Sequence, residues 1–166
     1  MHGIYLTQEQ ARYMAQHDVR LVPTLSTIAN MAAKGPEWGL PAEWITIAER
    51  TVQVHRESFQ HALDAGVVFG VGTDGYGSVV DELRAFVSFG LSPMRALQAA
   101  TRDSALIARP GWGAGVLAEG RPADVIVVEG DPLAALDALE SVVAVMADGR
   151  LRHDPAGTSA GPAPSV

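Results

Sequence analysis

Asp74 is the carboxylate whose setting most suggests chemistry. It stands in Gly72-Thr73-Asp74-Gly75-Tyr76-Gly77, directly after the apolar run Val67-Val68-Phe69-Gly70-Val71. Such a run between turn signals suits a strand buried on both faces of a parallel sheet. In α/β folds, sites gather at the C-terminal ends of those strands. A carboxylate there can bind a divalent metal as a hard oxygen ligand, or accept a proton from a metal-bound water. Spacing alone also permits an Asp that closes its own turn through an Asx bond. His2, before Gly3, is the second candidate. A neutral imidazole is a good zinc ligand, although the local sequence by itself reads as an incidental residue on a frayed terminus.

Other candidates lose their chemistry on inspection. Gly70 to Gly75 matches G-x-G-x-x-G. Dinucleotide binding is rejected there: Asp74 would face the pyrophosphate, no helix opens at Gly75, and no acidic residue lies near position 95 to hold a ribose. His17 falls near a helix end. His55 and His61 share a long helix without the i,i+4 spacing of a metal pair, and His153 is in the tail; all four read as structural or solvated. Asp81 and Glu82 open a helix, where negative charge is favourable. Asp124, Glu129 and Asp131 read as exposed turn residues beside strands. Ser26, Ser78 and Ser104 lack a nucleophile elbow. Thiol catalysis, disulfides and zinc fingers are excluded because the chain has no cysteine.

The elements that must position these residues follow from pattern. Thr7-Gln8-Glu9-Gln10 has capping-box spacing and predicts a helix to about Gln16. Val19 to Val22 is a short β-type run ended by Pro23. Residues 26–41, with Gly35, Pro36, Gly39 and Pro41, read as a loop with room for a short helix. A long helix spans about Ala42 to Asp64, with Ile45, Ala48, Val52, Phe59 and Ala62 on one face, and stops at Ala65-Gly66. Further helices cover about Asp81 to Phe89 and, from the Ser92-Pro93 start, Pro93 to about Ile107. Alternation of strand and helix argues for an α/β fold with parallel strands. After Pro110 the pattern changes: Ala123 to Val128 and Val142 to Ala147 read as strands, and Asp148-Gly149 as a hairpin turn returning through Arg150-Leu151. The expected organisation is 1–110, 111–153 and a disordered tail, 154–166.

The 166 residues carry a net charge of -7, with 48% hydrophobic and 19% charged residues. That is a globular composition without the basic footprint of a nucleic-acid or anionic-membrane binder. The N-terminal residues do not read as a signal peptide, and no apolar stretch reaches the ~18 residues of a membrane helix; a cytoplasmic protein with small-molecule or protein partners is expected.

Taken in order, several short motifs form a series. They are His2-Gly3, Val22-Pro23-Thr24, Gly72-Thr73-Asp74, Glu82-Leu83, Ala96-Leu97 with Ala99-Ala100-Thr101, Gly120-Arg121-Pro122-Ala123-Asp124 and Gly130-Asp131-Pro132-Leu133. The series resembles the amidohydrolase superfamily, in particular its imidazolonepropionase-like and prolidase-like branch, over roughly residues 1 to 152. The resemblance implies the C-terminal portion of a (β/α)8 barrel, about strands 6 to 8 with their helices, followed by part of a small β-sandwich. It implies metal-dependent hydrolysis of carbon–nitrogen bonds in a small amide-type substrate, with one or two divalent ions, most often zinc. Asp74 matches the strand 8 aspartate, which binds metal and moves the proton. His2 matches the strand 6 histidine, with Met1 where that family has Glu. The sequence departs from the pattern in holding no His-x-His, and its only lysine is Lys34. The resemblance therefore implies that strands 1 to 5 lie on a missing N-terminal half or a partner chain, and that open strand edges would favour a homo-oligomer.

Overall fold

The computed structural model describes residues 2–153; Met1 and the tail expected over 154–166 lie outside the described residues. Helix α1, Gln8–Gln16, begins with the capping box its spacing predicts. Gln10 N–H reaches Thr7 Oγ1 at 3.2 Å and Thr7 N–H reaches Gln10 Oε1 at 2.9 Å. Two orphan donors of the first turn are thereby satisfied.

The region after Pro23, read as a loop with room for a short helix, contains such a helix. Helix α2, Leu25–Lys34, fills its first part. Its N-cap residue, Thr24, sits in the left-handed region at φ 53° and makes no side-chain cap. The local sequence therefore lacks a start signal. Helix α3, Ala42–Ala65, ends on Gly66 at φ 80°, a conformation that favours glycine. Helix α4, Val79–Ser88, starts two residues before the expected Asp81, because Ser78 and Asp81 form a reciprocal capping box. The expected helix from Pro93 is present but not uniform. Helix α5, Pro93–Gln98, passes through a wide π turn, Ala99–Asp103, into α6, Ser104–Ala108. At that turn Ser104 Oγ–H donates to Ala99 O at 2.7 Å, a side-chain insertion of the kind that widens a helix.

The two apolar runs read as strands are extended segments joined at a single parallel bridge, Leu21 with Phe69. Leu21 N–H donates to Val68 O at 3.0 Å and Gly70 N–H to Leu21 O at 2.9 Å. The next donor along the first segment would be residue 23, which is proline and has no N–H, so the ladder stops there. Between these segments and the helices lies the core. Phe59 stacks on Phe69 at 4.6 Å and meets Phe86 at 5.3 Å, with Leu21, Leu83, Leu91 and Ala96 buried around them.

After a loop rich in glycine comes an antiparallel sheet. Strand β1, Val125–Val128, pairs with β2, Val142–Ala147, which pairs with β3, Arg150–His153. Asp148 and Gly149, at φ 52° and 71°, supply the tight turn between β2 and β3. A 3-10 turn, Leu136–Glu140, ties this part to α4 through Arg84, whose guanidinium holds Asp137 at 2.6 Å and Glu140 at 2.8 Å. The whole is an α/β arrangement. Among the described residues, no helix is long and apolar enough to cross a membrane.

Candidate functional site

Asp74 and His2 meet at the end of the paired segments. Asp74 occupies a tight turn closed by its neighbours: Tyr76 N–H donates to Thr73 O at 3.0 Å. Both central residues are left-handed, with φ 46° at Asp74 and 83° at Gly75, the pattern of a type I′ turn. The backbone closes this turn, and among the described residues no amide donates to the Asp74 carboxylate. The side chain, 58% exposed, faces outward toward His2, with Oδ2 at 3.7 Å from His2 Nε2.

His2 is held from two sides. Its carbonyl accepts Nε2–H of His55 at 2.9 Å, and its ring Nδ1 contacts Thr24 Oγ1. The Thr24 hydroxyl also lies 2.7 Å from Pro23 O; with its proton on that carbonyl, His2 Nδ1–H donates to Thr24 and Nε2 is left as an acceptor toward Asp74. The 3.7 Å gap is too long for a hydrogen bond. It suits two donors sharing an ion at roughly 2.0–2.2 Å each. Metal-bound histidines commonly have their other ring nitrogen fixed by an outer hydrogen-bond partner, the place Thr24 Oγ1 takes here. The pair fits half of a divalent site. Among the described residues no group of three or more His, Asp or Glu side chains converges to complete it.

Three supporting residues carry more than their local sequence suggested. His55, read as structural, is 2% exposed and anchors the His2 backbone from α3. Burial pushes its imidazole pKa down, against the opposing pull of the His2 and Pro23 carbonyls. Glu82, read as a helix-opening charge, is fully buried and accepts Leu25 N–H at 2.8 Å and Ser26 N–H at 2.7 Å. Burial raises its carboxyl, while the Ser26 and Leu25 amides oppose the rise. Ser104 accepts Val71 N–H at 2.9 Å and so pins the segment that leads to Asp74. The only sequence signals for these were the short Val22-Pro23-Thr24 and Glu82-Leu83 motifs, neither of which reveals a partner more than 50 residues away.

The remaining candidates stay apart from this pair. His17 stacks on Tyr13 at 3.9 Å, and His61 Nδ1 meets Leu6 O at 2.8 Å. Asp131 accepts Leu133 N–H at 2.8 Å and Asp124 accepts Asp148 N–H at 2.7 Å; both stabilise turns. Beside Asp74, the partly exposed rings of Tyr76 and Trp38 lie 5.9 Å apart. Asn30 Nδ2–H secures the Tyr76 carbonyl at 2.9 Å.

Comparison with known proteins gives a consistent result. Residues 1–152 match the Amidohydrolase family. An ochratoxinase of Aspergillus niger is 29% identical over 148 residues, which is 87% of this chain and 31% of that protein. A crystal structure of a prolidase in complex with N-methylphosphonate-L-proline is 31% identical, with a TM-score of 0.83, over 92% of this chain and 39% of that one. The crystal structure of Aspergillus niger ochratoxinase superposes with a TM-score of 0.80 at 28% identity, over 93% of this chain and 36% of that one. The chain thus spans about a third of the length of the curated relatives it matches.

Proposed function

This chain belongs to the amidohydrolase family, and on that premise we propose that it is part of a metal-dependent hydrolase acting on carbon–nitrogen bonds of small amides. The observation that carries this reading is the approach of His2 Nε2 to within 3.7 Å of Asp74 Oδ2 at the end of the paired segments. The paired segments around Leu21 and Phe69, with their helices, are read as a piece of a (β/α)8 barrel, and the Val125–His153 sheet as part of an adjoining β-sandwich. Zinc is the ion best suited to an imidazole and a carboxylate together.

His2 and Asp74 would hold the ion, with further donors from outside the described residues. Bound there, a divalent ion supplies a water of low pKa and polarises the amide carbonyl. Asp74 takes the proton of the attacking water and returns it to the leaving nitrogen as the carbon–nitrogen bond breaks. Thr24 holds the His2 ring at Nδ1, so that Nε2 faces Asp74. Residues 25–41 and the turn after Asp74 select the substrate, with the rings of Trp38 and Tyr76 offering an apolar surface beside the carboxylate. The prolidase bound to N-methylphosphonate-L-proline directs the first assays to N-acylated L-proline. The chain, with any co-purifying partner and added zinc, should release the amino acid. Asp74→Asn should lower the rate by about 10²–10⁴-fold. Hydrolysis that survives Asp74→Asn at the original rate would rule this assignment out.

A further inference from the structure

Helix α2 begins without a cap of its own. Its first-turn amides at Leu25 and Ser26 are instead taken by the Glu82 carboxylate, one oxygen each, at 2.8 and 2.7 Å. Glu82 is fully buried on α4, and its negative charge lies at the positive end of α2. The residue it fixes most directly is Thr24, a β-branched side chain at φ 53°. Such a conformation is costly for Thr and persists only where surrounding contacts over-determine it.

That first turn of α2 touches both halves of the candidate site. On one side Thr24 Oγ1 receives His2 Nδ1. On the other, Thr27 Oγ1–H donates to Thr73 O at 2.6 Å, the residue before Asp74. One turn further, Asn30 holds the Tyr76 carbonyl. A Cβ on Gly77 would come within 3.0 Å of Ser26 Oγ, so the Asp74 loop rests directly on this turn.

We infer that Glu82 is a positioning residue: by holding the first turn of α2 it sets the His2 ring and the Asp74 loop at once, from behind the site and without touching either. This deepens the hydrolase reading by naming what aligns its two ligands, but its test does not use hydrolysis, so either can fail without the other. Glu82→Gln is the informative substitution. The amide side chain keeps one acceptor and turns an NH2 toward a second N–H, so one of the two backbone donors loses its partner.

The experiment is nitrogen-15 NMR on the full chain. In the wild type, the His2 ring nitrogens and the Thr73 and Gly75 amides should each give one sharp signal, and the Leu25 and Ser26 amides should exchange slowly. In Glu82→Gln, those two amides should lose roughly tenfold of their protection. The His2 ring signals and the Thr73 and Gly75 amides should shift, while strands β2 and β3 keep their spectra. A folded Glu82→Gln variant with unchanged His2, Thr73 and Gly75 signals overturns the inference, as does rapid exchange at Leu25 and Ser26 in the wild type. If Glu82→Gln does not fold, Thr24→Val decides. It leaves the Glu82 clamp intact, so Leu25 and Ser26 should stay protected while the His2 ring signals shift. Unchanged His2 ring signals in Thr24→Val overturn the relay.

Discussion

His2 Nε2 faces Asp74 Oδ2 across 3.7 Å, although the two residues arrive on different segments and neither is held by the other. Each is fixed from its own side, His2 by Thr24 and His55 and the Asp74 turn by Thr27. The gap between them is therefore a property of the scaffold. Four consequences can be measured.

Gly72 has no room for a side chain. A Cβ there would approach Val22 Cγ1 to 2.7 Å, on the segment paired alongside. Gly72→Ala should force the two segments apart and cost about 1–3 kcal/mol. For a domain of this size that lowers Tm by about 2–4 °C per kcal/mol. A thermal melt followed by circular dichroism checks this, and an unchanged Tm would show that the segments are not packed as described.

Phe59 is the centre of the aromatic core, 1% exposed and stacked on Phe69 at 4.6 Å. Phe59→Ala should destabilise the chain by about 3–5 kcal/mol through lost contacts and the cavity left behind. Leu117 is 83% exposed. Leu117→Ser should stay within about 0.5 kcal/mol of the wild type. Urea denaturation of both variants gives the comparison; equal losses would place the core elsewhere.

Two neighbouring carboxyls on α4 should respond to pH in opposite senses. Burial raises Glu82 above the ordinary carboxylate range. Its contribution to stability is thus full below the unfolded value and is lost as pH rises through the raised folded value. Asp81 is lowered, chiefly by the Ser78 amide. Its contribution is present above the unfolded value and lost as pH falls through the lowered one. Melts at pH 4 and pH 7 should therefore show the wild type gaining on Glu82→Gln at the acid end, and gaining on Asp81→Asn at the neutral end. The same sign for both variants would contradict the burial of Glu82.

Local chemistry made much of the fold legible in the sequence. The Thr7–Gln10 box, the apolar face of α3 with its Gly66 stop, and the Asp148-Gly149 turn are each specified by residues that touch one another. The turn that carries Asp74 could be read because Gly72 to Gly77 follows an apolar run with turn residues. The start of helix α2 could not, because its cap is supplied by Glu82 from α4 and its N-cap residue adopts a conformation foreign to Thr. His55 was obscured for a similar reason: its role is a bond to the His2 carbonyl across the core, and nothing in the α3 pattern marks one buried histidine as an anchor. Parallel pairing was anticipated, but Pro23 confines it to one bridge.

The most direct test of the central claim is a cobalt(II) titration of the nitrogen-15-labelled chain, followed at the His2 ring and at the Thr73 and Gly75 amides. If His2 and Asp74 share one ion, these signals should shift or broaden together at the lowest cobalt concentrations, ahead of His17 and His153, and Asp74→Asn should raise the cobalt needed to affect His2. If His17 or His153 responds first, or if His2 responds identically in Asp74→Asn, the two residues do not form a metal site and the hydrolase reading loses its foundation in this chain.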